Sequence, residues 1–221
     1  MPFIEVTEPY AVPPRLRALT PQPLDTMSMD VDHGYLDLRD AAIVGDGLPV
    51  DAQEFDLAGC SFEGVDFPAG STLEARNCRF EQCDLSQVRV RRLDNVQFDG
   101  CKLVGTDLSD ARIDDVEFDQ CLLRYVNIRM ARLQRVAFAA CSLDDVDCYE
   151  ATITDATFVG STLDQVTCSG VKWQAVDLRG AKALGLAQIG SLEGVLISDP
   201  QVIELAYVLA LRSGADIEAD D

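Results

Sequence analysis

Thiols and carboxylates are the groups in this 221-residue chain whose number suggests chemistry: there are eight cysteines and 38 acidic residues, against a single histidine. Thiols at regular spacing raise metal ligation or redox exchange. Cys101, Cys121 and Cys141 recur every twenty residues, with Cys60, Cys78, Cys83, Cys148 and Cys168 around them, yet no CxxC pair accompanies them and His33 stands far from most of them in sequence. A zinc set needs such partners. Serines lack a histidine partner, the glycines of Val44-Gly-Asp-Gly47 do not form a phosphate loop, and the acid pairs Asp114-Asp115 and Asp144-Asp145 fall at outward positions of the pattern described next. No catalytic residue, cofactor or metal is expected, and the thiols read as buried packing.

The elements that would position these groups follow from an apolar residue at every fifth position, unbroken from Leu93 through Phe98, Leu103, Leu108 and Ile113 to Leu178. Two positions before each stands a small or β-branched residue such as Val96, Cys101, Thr106 or Ala111. On a helix five residues advance the position by about 140°, which winds the stripe around every side. On a flat strand an odd period flips each repeat to the other face. Three residues of strand followed by a two-residue corner satisfy the pattern, with the small and large residues both inward. Phenylalanine recurs at 98, 118, 138 and 158, so four such sides make one coil. Stacked coils bring like residues to about 4.8 Å, and Phe80, Phe98, Phe118, Phe138 and Phe158 are expected to form a core ladder.

Phe98-Asp-Gly-Cys-Lys-Leu103, Phe118-Asp-Gln-Cys-Leu-Leu123 and Thr106-Asp-Leu-Ser-Asp-Ala111-Arg112 carry a pattern that resembles the pentapeptide-repeat proteins, over about residues 36 to 197. The resemblance implies an all-β solenoid, a right-handed quadrilateral β-helix, here of about seven coils with a C-terminal α-helix. The frame breaks at Pro68-Ala-Gly-Ser71, read as an insertion of about three residues, and at Arg91-Arg92, read as a deletion of two.

Around the solenoid, residues 1–34 hold six of the nine prolines and read as an extended arm, with Phe3, Ile4 and Val6 able to add a short strand or plug the first coil, disorder up to about residue 30 being the equal alternative. Residues 35–197 are the β-helix, and 198–221 a dimerisation helix with an acidic tail. Ser198-Asp-Pro-Gln201 is a helix start, and Arg212-Ser-Gly214 a helix end. Val202, Leu205, Ala206, Val208 and Leu209 make this helix apolar on more sides than one docked stripe requires, so they are assigned to a homodimer interface.

A net charge of −20 argues against direct binding of nucleic acid, which needs a basic footprint. Neither a signal segment nor a membrane span is evident, and a cytoplasmic protein without membrane contact is expected. Folded onto four sides, the outward residues give an acidic side with Asp107, Asp110, Asp147 and Glu150, where Tyr149 beside Met130 is the candidate anchor for a protein partner. Its opposite carries Asp99, Glu117, Asp119 and Asp177. A basic column, Arg92, Arg112, Arg132 and Lys172, lies beside Asp94, Asp114, Asp115 and Asp155 and is expected to be a compensated ladder in preference to a binding strip. The charge density and the C-terminal helix resemble the dimeric, gyrase-directed fluoroquinolone-resistance branch of mycobacterial type. That resemblance implies a non-catalytic mimic of DNA that binds DNA gyrase. The alternative is an interaction scaffold with another partner, its acidity serving solubility.

Overall fold

A computed structural model describes residues 22–23, 29, 31–45, 48–49, 51–212 and 214. Strands between successive coils pair in parallel, like onto like: Arg92 with Arg112 with Arg132, and Phe98 with Phe118 with Phe138. The ladder through Leu38, Leu57, Ala75, Leu93, Ile113, Leu133, Ile153 and Trp173 has eight rungs. The molecule is a β-solenoid of about eight turns, one more than expected, closed by one helix.

The four sides are named here by what recurs on them. The Arg side and the Phe side are joined in continuous strands such as Arg112–Asp119 and Arg132–Ala139. The Leu side consists of short strands, Lys102–Val104, Leu122–Arg124 and Ser142–Asp144. On the Asp side single bridges link Asp107, Asn127, Asp147 and Thr167. Each side buries its small and large residue, as Cys121 and Leu123 or Val126 and Ile128, and turns its other residues outward. Corners demand the left-handed conformation; Gly100, Gln120, Ala140 and Gly160 hold the same corner at φ of 51–69°.

The extra coil explains the miscount. Ile43 pairs with Phe62 and Phe62 with Phe80, so Phe62 heads the aromatic column and Leu57 belongs to the next one. The frame breaks have one cause. From Phe67 to Phe80 the chain turns through three sides two residues short of fifteen; counted as two sides, the same stretch looks three residues too long. Thr72–Glu81 and Arg89–Asp99 run as single strands through the place where later coils turn between Asp and Arg sides. Arg91 is left unmatched there, a one-residue bulge opposite Leu73 and Glu74. The full corner first appears at Ser109-Asp110, so the acidic corner exists only in the C-terminal half.

Inside, the Phe62, Phe80, Phe98, Phe118, Phe138 and Phe158 rings stack at 4.8–5.1 Å with interplanar angles of 6–12°. All eight cysteines are buried. Cys101 Sγ donates to the Phe80 carbonyl (3.4 Å), Cys121 Sγ to Phe98 (3.6 Å) and Cys141 Sγ to Phe118 (3.3 Å), and Ser161 Oγ makes the same bond to Phe138 at 3.1 Å. The thiol therefore fills a small space and serves as a weak donor. Burial pushes the Cys148 thiol well above its ordinary value, keeping it neutral.

At the C-terminal end the helix Asp199–Arg212 caps the last coil. Gln201 accepts the Ser198 N–H at 2.9 Å, one half of the expected reciprocal cap, and its Nε2 donates to the Leu178 and Ala181 carbonyls at 2.7 and 3.3 Å. Leu205, only 2 % exposed, packs on the solenoid, which removes it from any interface with another molecule. Val202, Ile203, Tyr207 and Leu209 are exposed, Ile203 at 74 % and Tyr207 at 55 %. Residues Phe3, Ile4 and Val6 lie outside the described residues; Gln22–Pro23 adds to the first coil beside Ala41–Ala42. No helix among the described residues is long and apolar enough to cross a membrane.

Candidate protein-docking face

The Asp side is built by the turn that follows it. Asp107 Oδ1 accepts the Ser109 N–H (3.0 Å), Asn127 Oδ1 the Arg129 N–H (3.1 Å) and Asp147 Oδ1 the Tyr149 N–H (2.9 Å). A short acceptor two residues before each corner residue is what such a turn calls for. Asn127 Nδ2 also donates to Asp107 Oδ1 at 3.0 Å, tying adjacent coils. Asp107 and Asp147 thus shape the face, and each has a basic neighbour: Arg89 lies 3.7 Å from Asp107, and Arg129 2.9 Å from Asp147. Asp110 and Glu150, exposed at the left-handed corner positions, have no ion-pair partner among the described residues.

Arg129 also places its guanidinium 4.4 Å from the centroid of Tyr149. Hydrogen bonding to Glu150 and that carboxylate's charge raise the Tyr149 phenol above its ordinary value, with Arg129 opposing. Met130 is 47 % exposed one corner position above Glu150, and Tyr125, 56 % exposed, closes the other edge of the face beneath Arg124 at 5.1 Å. All five acidic-side residues named from the sequence, Asp107, Asp110, Asp147, Tyr149 and Glu150, lie on this side and its corner with the Arg side. Two contributors escaped the sequence reading. Arg89 precedes Asp107 by eighteen residues and falls off a twenty-residue map. Tyr125 stands twenty residues from the corner glycine Gly105, so an exposed aromatic at a glycine corner was the available signal.

On the opposite Phe side, Glu117 accepts from Gln97 Nε2 at 3.1 Å. Burial, with Asp119 and Asp99 nearby, raises its carboxyl above the usual range despite that bond. A cleft of about 190 Å³ here is lined by Arg79, Gln97, Asp99, Glu117 and Asp119. Arg79 approaches Glu81 and Asp99 at 3.5 and 3.8 Å. Among the described residues no group of three or more histidine, cysteine or acidic side chains is placed to hold a metal ion.

The basic column departs from expectation. Arg92 does pair with Asp94 at 3.3 Å. Asp114 and Asp115, however, are both taken by Arg135, the latter at 2.5 Å, which leaves Arg112 and Arg132 unpaired among the described residues. Arg135 sits at the corner, closer to both acids than the column residues are.

Among solved structures the chain is similar to a trypsin-treated variant of QnrB1, a plasmid-mediated fluoroquinolone resistance protein, at 20% identity over 89% of this chain and 96% of that one, with a TM-score of 0.38. Full-length QnrB1 aligns at 18% identity over 80% and 99%, TM-score 0.31. HetL, a pentapeptide repeat protein involved in heterocyst differentiation regulation in the cyanobacterium Nostoc sp. strain PCC 7120, aligns at 15% over 74% and 90%, TM-score 0.28. Likenesses this low carry no inference about function. The curated proteins gave no match. The family model of the pentapeptide repeat region matches residues 73–138 and 91–168, where the stacked phenylalanines and the parallel coils coincide, and this stretch of the chain is a pentapeptide-repeat region.

Proposed function

We propose that the chain is a non-catalytic docking rod, a homodimer whose acidic surface stands in for DNA on a basic protein partner. The observation that carries this reading is the net negative charge along the rod. Eight rungs at about 4.8 Å make a rod of roughly 38 Å; residues 35–197 hold 27 acids and 15 bases, a net charge of −12, or one charge per about 3.2 Å, roughly half the density of duplex DNA at one per about 1.7 Å. The Asp side adds what a bare polyanion lacks: Tyr125, Met130 and Tyr149 offer contact area beside the unpaired Asp110 and Glu150. The exposed Val202, Ala206 and Leu209, with Ile203 and Tyr207, form the face for a two-fold contact; Val208 lies at its edge.

DNA gyrase is the partner to test first, because the sequence motifs and the C-terminal helix resemble the gyrase-directed branch; resistance to fluoroquinolones would follow from occupying the enzyme. Binding of purified gyrase to the immobilised protein is expected to weaken steeply as salt rises and to be competed by linear DNA. Salt-independent binding would remove the DNA-mimic part of the reading. One observation favours another partner: Asp107 and Asp147 are engaged in turns and ion pairs, so fewer acids of this face are free than the composition suggests. A scaffold led by its aromatic anchors would bind with little salt dependence.

A further inference from the structure

Every cysteine of the chain stands beside another on an adjacent coil, although the repeat asks only for a small or apolar residue at these places. Cys60 adjoins Cys78, Cys148 adjoins Cys168, and Cys83, Cys101, Cys121 and Cys141 form one run at the small position of the Leu side. Within the run the Lys102 N–H donates to the Cys83 carbonyl, the Leu122 N–H to Cys101 and the Ser142 N–H to Cys121, at 2.9–3.0 Å, so the four residues stack in register. Their spacing is that of the coils, about 4.8 Å. Hydrogen bonding with Cys101 and Cys141, then burial, holds the Cys121 thiol above its ordinary value, and Cys101 and burial do the same for Cys83. Neighbouring thiols therefore act directly on one another.

A run in line offers two sulfurs to any point between its coils, one from below and one from above. Tetrahedral zinc needs four ligands around one point, and among the described residues not even three histidine, cysteine or acidic side chains are so placed. Two metal–thiolate bonds of about 2.3 Å laid end to end span about 4.6 Å, close to the coil spacing. Soft cations that accept two thiolates in a line, such as Cu(I), Ag(I) and Hg(II), meet this geometry and the preference of sulfur for soft metals.

The surrounding carbonyls favour such an ion. Cys101 Sγ lies 3.4 Å from the Phe80 oxygen and 3.5 Å from that of Asp99; Cys121 Sγ is 3.6 and 3.2 Å from Phe98 and Asp119, and Cys141 Sγ 3.3 and 3.4 Å from Phe118 and Ala139. These oxygens accept from the thiols and oppose a bare thiolate. A cation between the sulfurs makes the same oxygens attractive. A divalent ion with two thiolates is neutral, so it buries no net charge, whereas a monovalent ion leaves one negative charge in the core.

We propose that the thiol run is an interior binding site for soft, two-coordinate metal ions, each held between the sulfurs of adjacent coils, with Hg(II) the best match. Binding of one Hg(II) breaks two S–H bonds, forms two S–Hg bonds and releases two protons to solvent. The run takes two such ions, one between Cys83 and Cys101 and one between Cys121 and Cys141; the pairs Cys60–Cys78 and Cys148–Cys168 take one each. The four sulfurs of the run belong to residues at most 2 % exposed, so an ion enters through local opening of the coils and loading is slow. The site is independent of the docking face on the Asp side.

Ser161 shows which variants the fold accepts. It occupies the next place in the run, donates to the Phe138 carbonyl and accepts the Cys141 N–H at 2.9 Å. Two variants with six thiols each are to be compared with the parent. Cys101→Ser with Cys121→Ser leaves Cys83 and Cys141 three rungs, about 14 Å, apart; Cys83→Ser with Cys141→Ser keeps the adjacent central pair. Each protein is loaded with mercuric chloride in urea too dilute to unfold it, metal held by single thiols is removed with excess glutathione, and retained ions are counted by native mass spectrometry, with circular dichroism as the check on strand content. The parent is expected to retain four ions, the variant with the central pair three and the variant without it two. X-ray absorption of the loaded parent should show two sulfurs at about 2.3 Å from mercury, a result that does not depend on how the variants fold. Zinc chloride in the same procedure should leave no metal bound. Equal counts in the two variants, a third sulfur on mercury, retained zinc, or mercury uptake by the parent only with loss of strand signal would each overturn the proposal.

Discussion

Glu117 and Asp147 are both acids on outward positions, yet their surroundings give them opposite characters. Asp147 accepts a backbone N–H and faces Arg129, so its charge is used. Glu117 is partly buried near Asp99 and Asp119, so its charge is a burden. A carboxyl whose folded pKa lies above its unfolded one stabilises the fold below the usual glutamate range and loses that contribution as pH rises through the range to the raised value. Glu117→Gln keeps an acceptor for Gln97 and is expected to raise the melting temperature at about pH 7 and to leave it unchanged below about pH 4. Equal shifts at both pH values would contradict this assignment. The sequence shows that both residues point outward, because the inward frame is periodic. It does not show which acid is tied into a turn, since that depends on the backbone of the following corner. Nor does it show that Arg135 claims Asp114 and Asp115, because a side chain's reach along a corner leaves no trace in a twenty-residue map.

Coils, as elements, were legible wherever the frame held. Cys101, Phe118 and Leu123 occupy the inward positions that their spacing requires. Legibility failed in the N-terminal coils, where the corner between Asp and Arg sides is missing and a shorter turn changes the count without changing the stacking of Phe62 on Phe80. Phe118 tests the element most directly. It is fully buried, with Phe98 at 4.9 Å and Phe138 at 5.1 Å. Phe118→Ala is expected to cost about 3–5 kcal/mol, the range for removing a buried aromatic ring, measured as a shift in urea unfolding. A loss under about 1 kcal/mol would mean that neighbouring coils collapse into the space and that the column contributes little of its own. The capping helix was legible in its start and its excess of apolar surface, but which stripe packs inward was not. Leu205 faces the solenoid because Gln201, one turn earlier, is anchored to the carbonyls of Leu178 and Ala181.

For the whole molecule, assembly and charge decide the function. The apolar face left on the helix is expected to pair two chains of 24.1 kDa, so light scattering should give twice that mass. Ile203→Glu with Tyr207→Glu alters exposed positions and should yield a folded monomer with unchanged strand content by circular dichroism. A parent that scatters as a monomer would leave this face without its assigned role. The acidic rod is tested most directly by gyrase supercoiling in the presence of the purified protein and of its Asp110→Lys, Glu150→Lys variant. These two acids are exposed and have no ion-pair partner among the described residues, so the variant should melt within a few degrees of the parent. Docking in place of DNA requires that the parent inhibit supercoiling at low salt and that the variant lose most of that inhibition. Parent and variant inhibiting equally, or neither inhibiting at all, would contradict docking of the Asp side on gyrase.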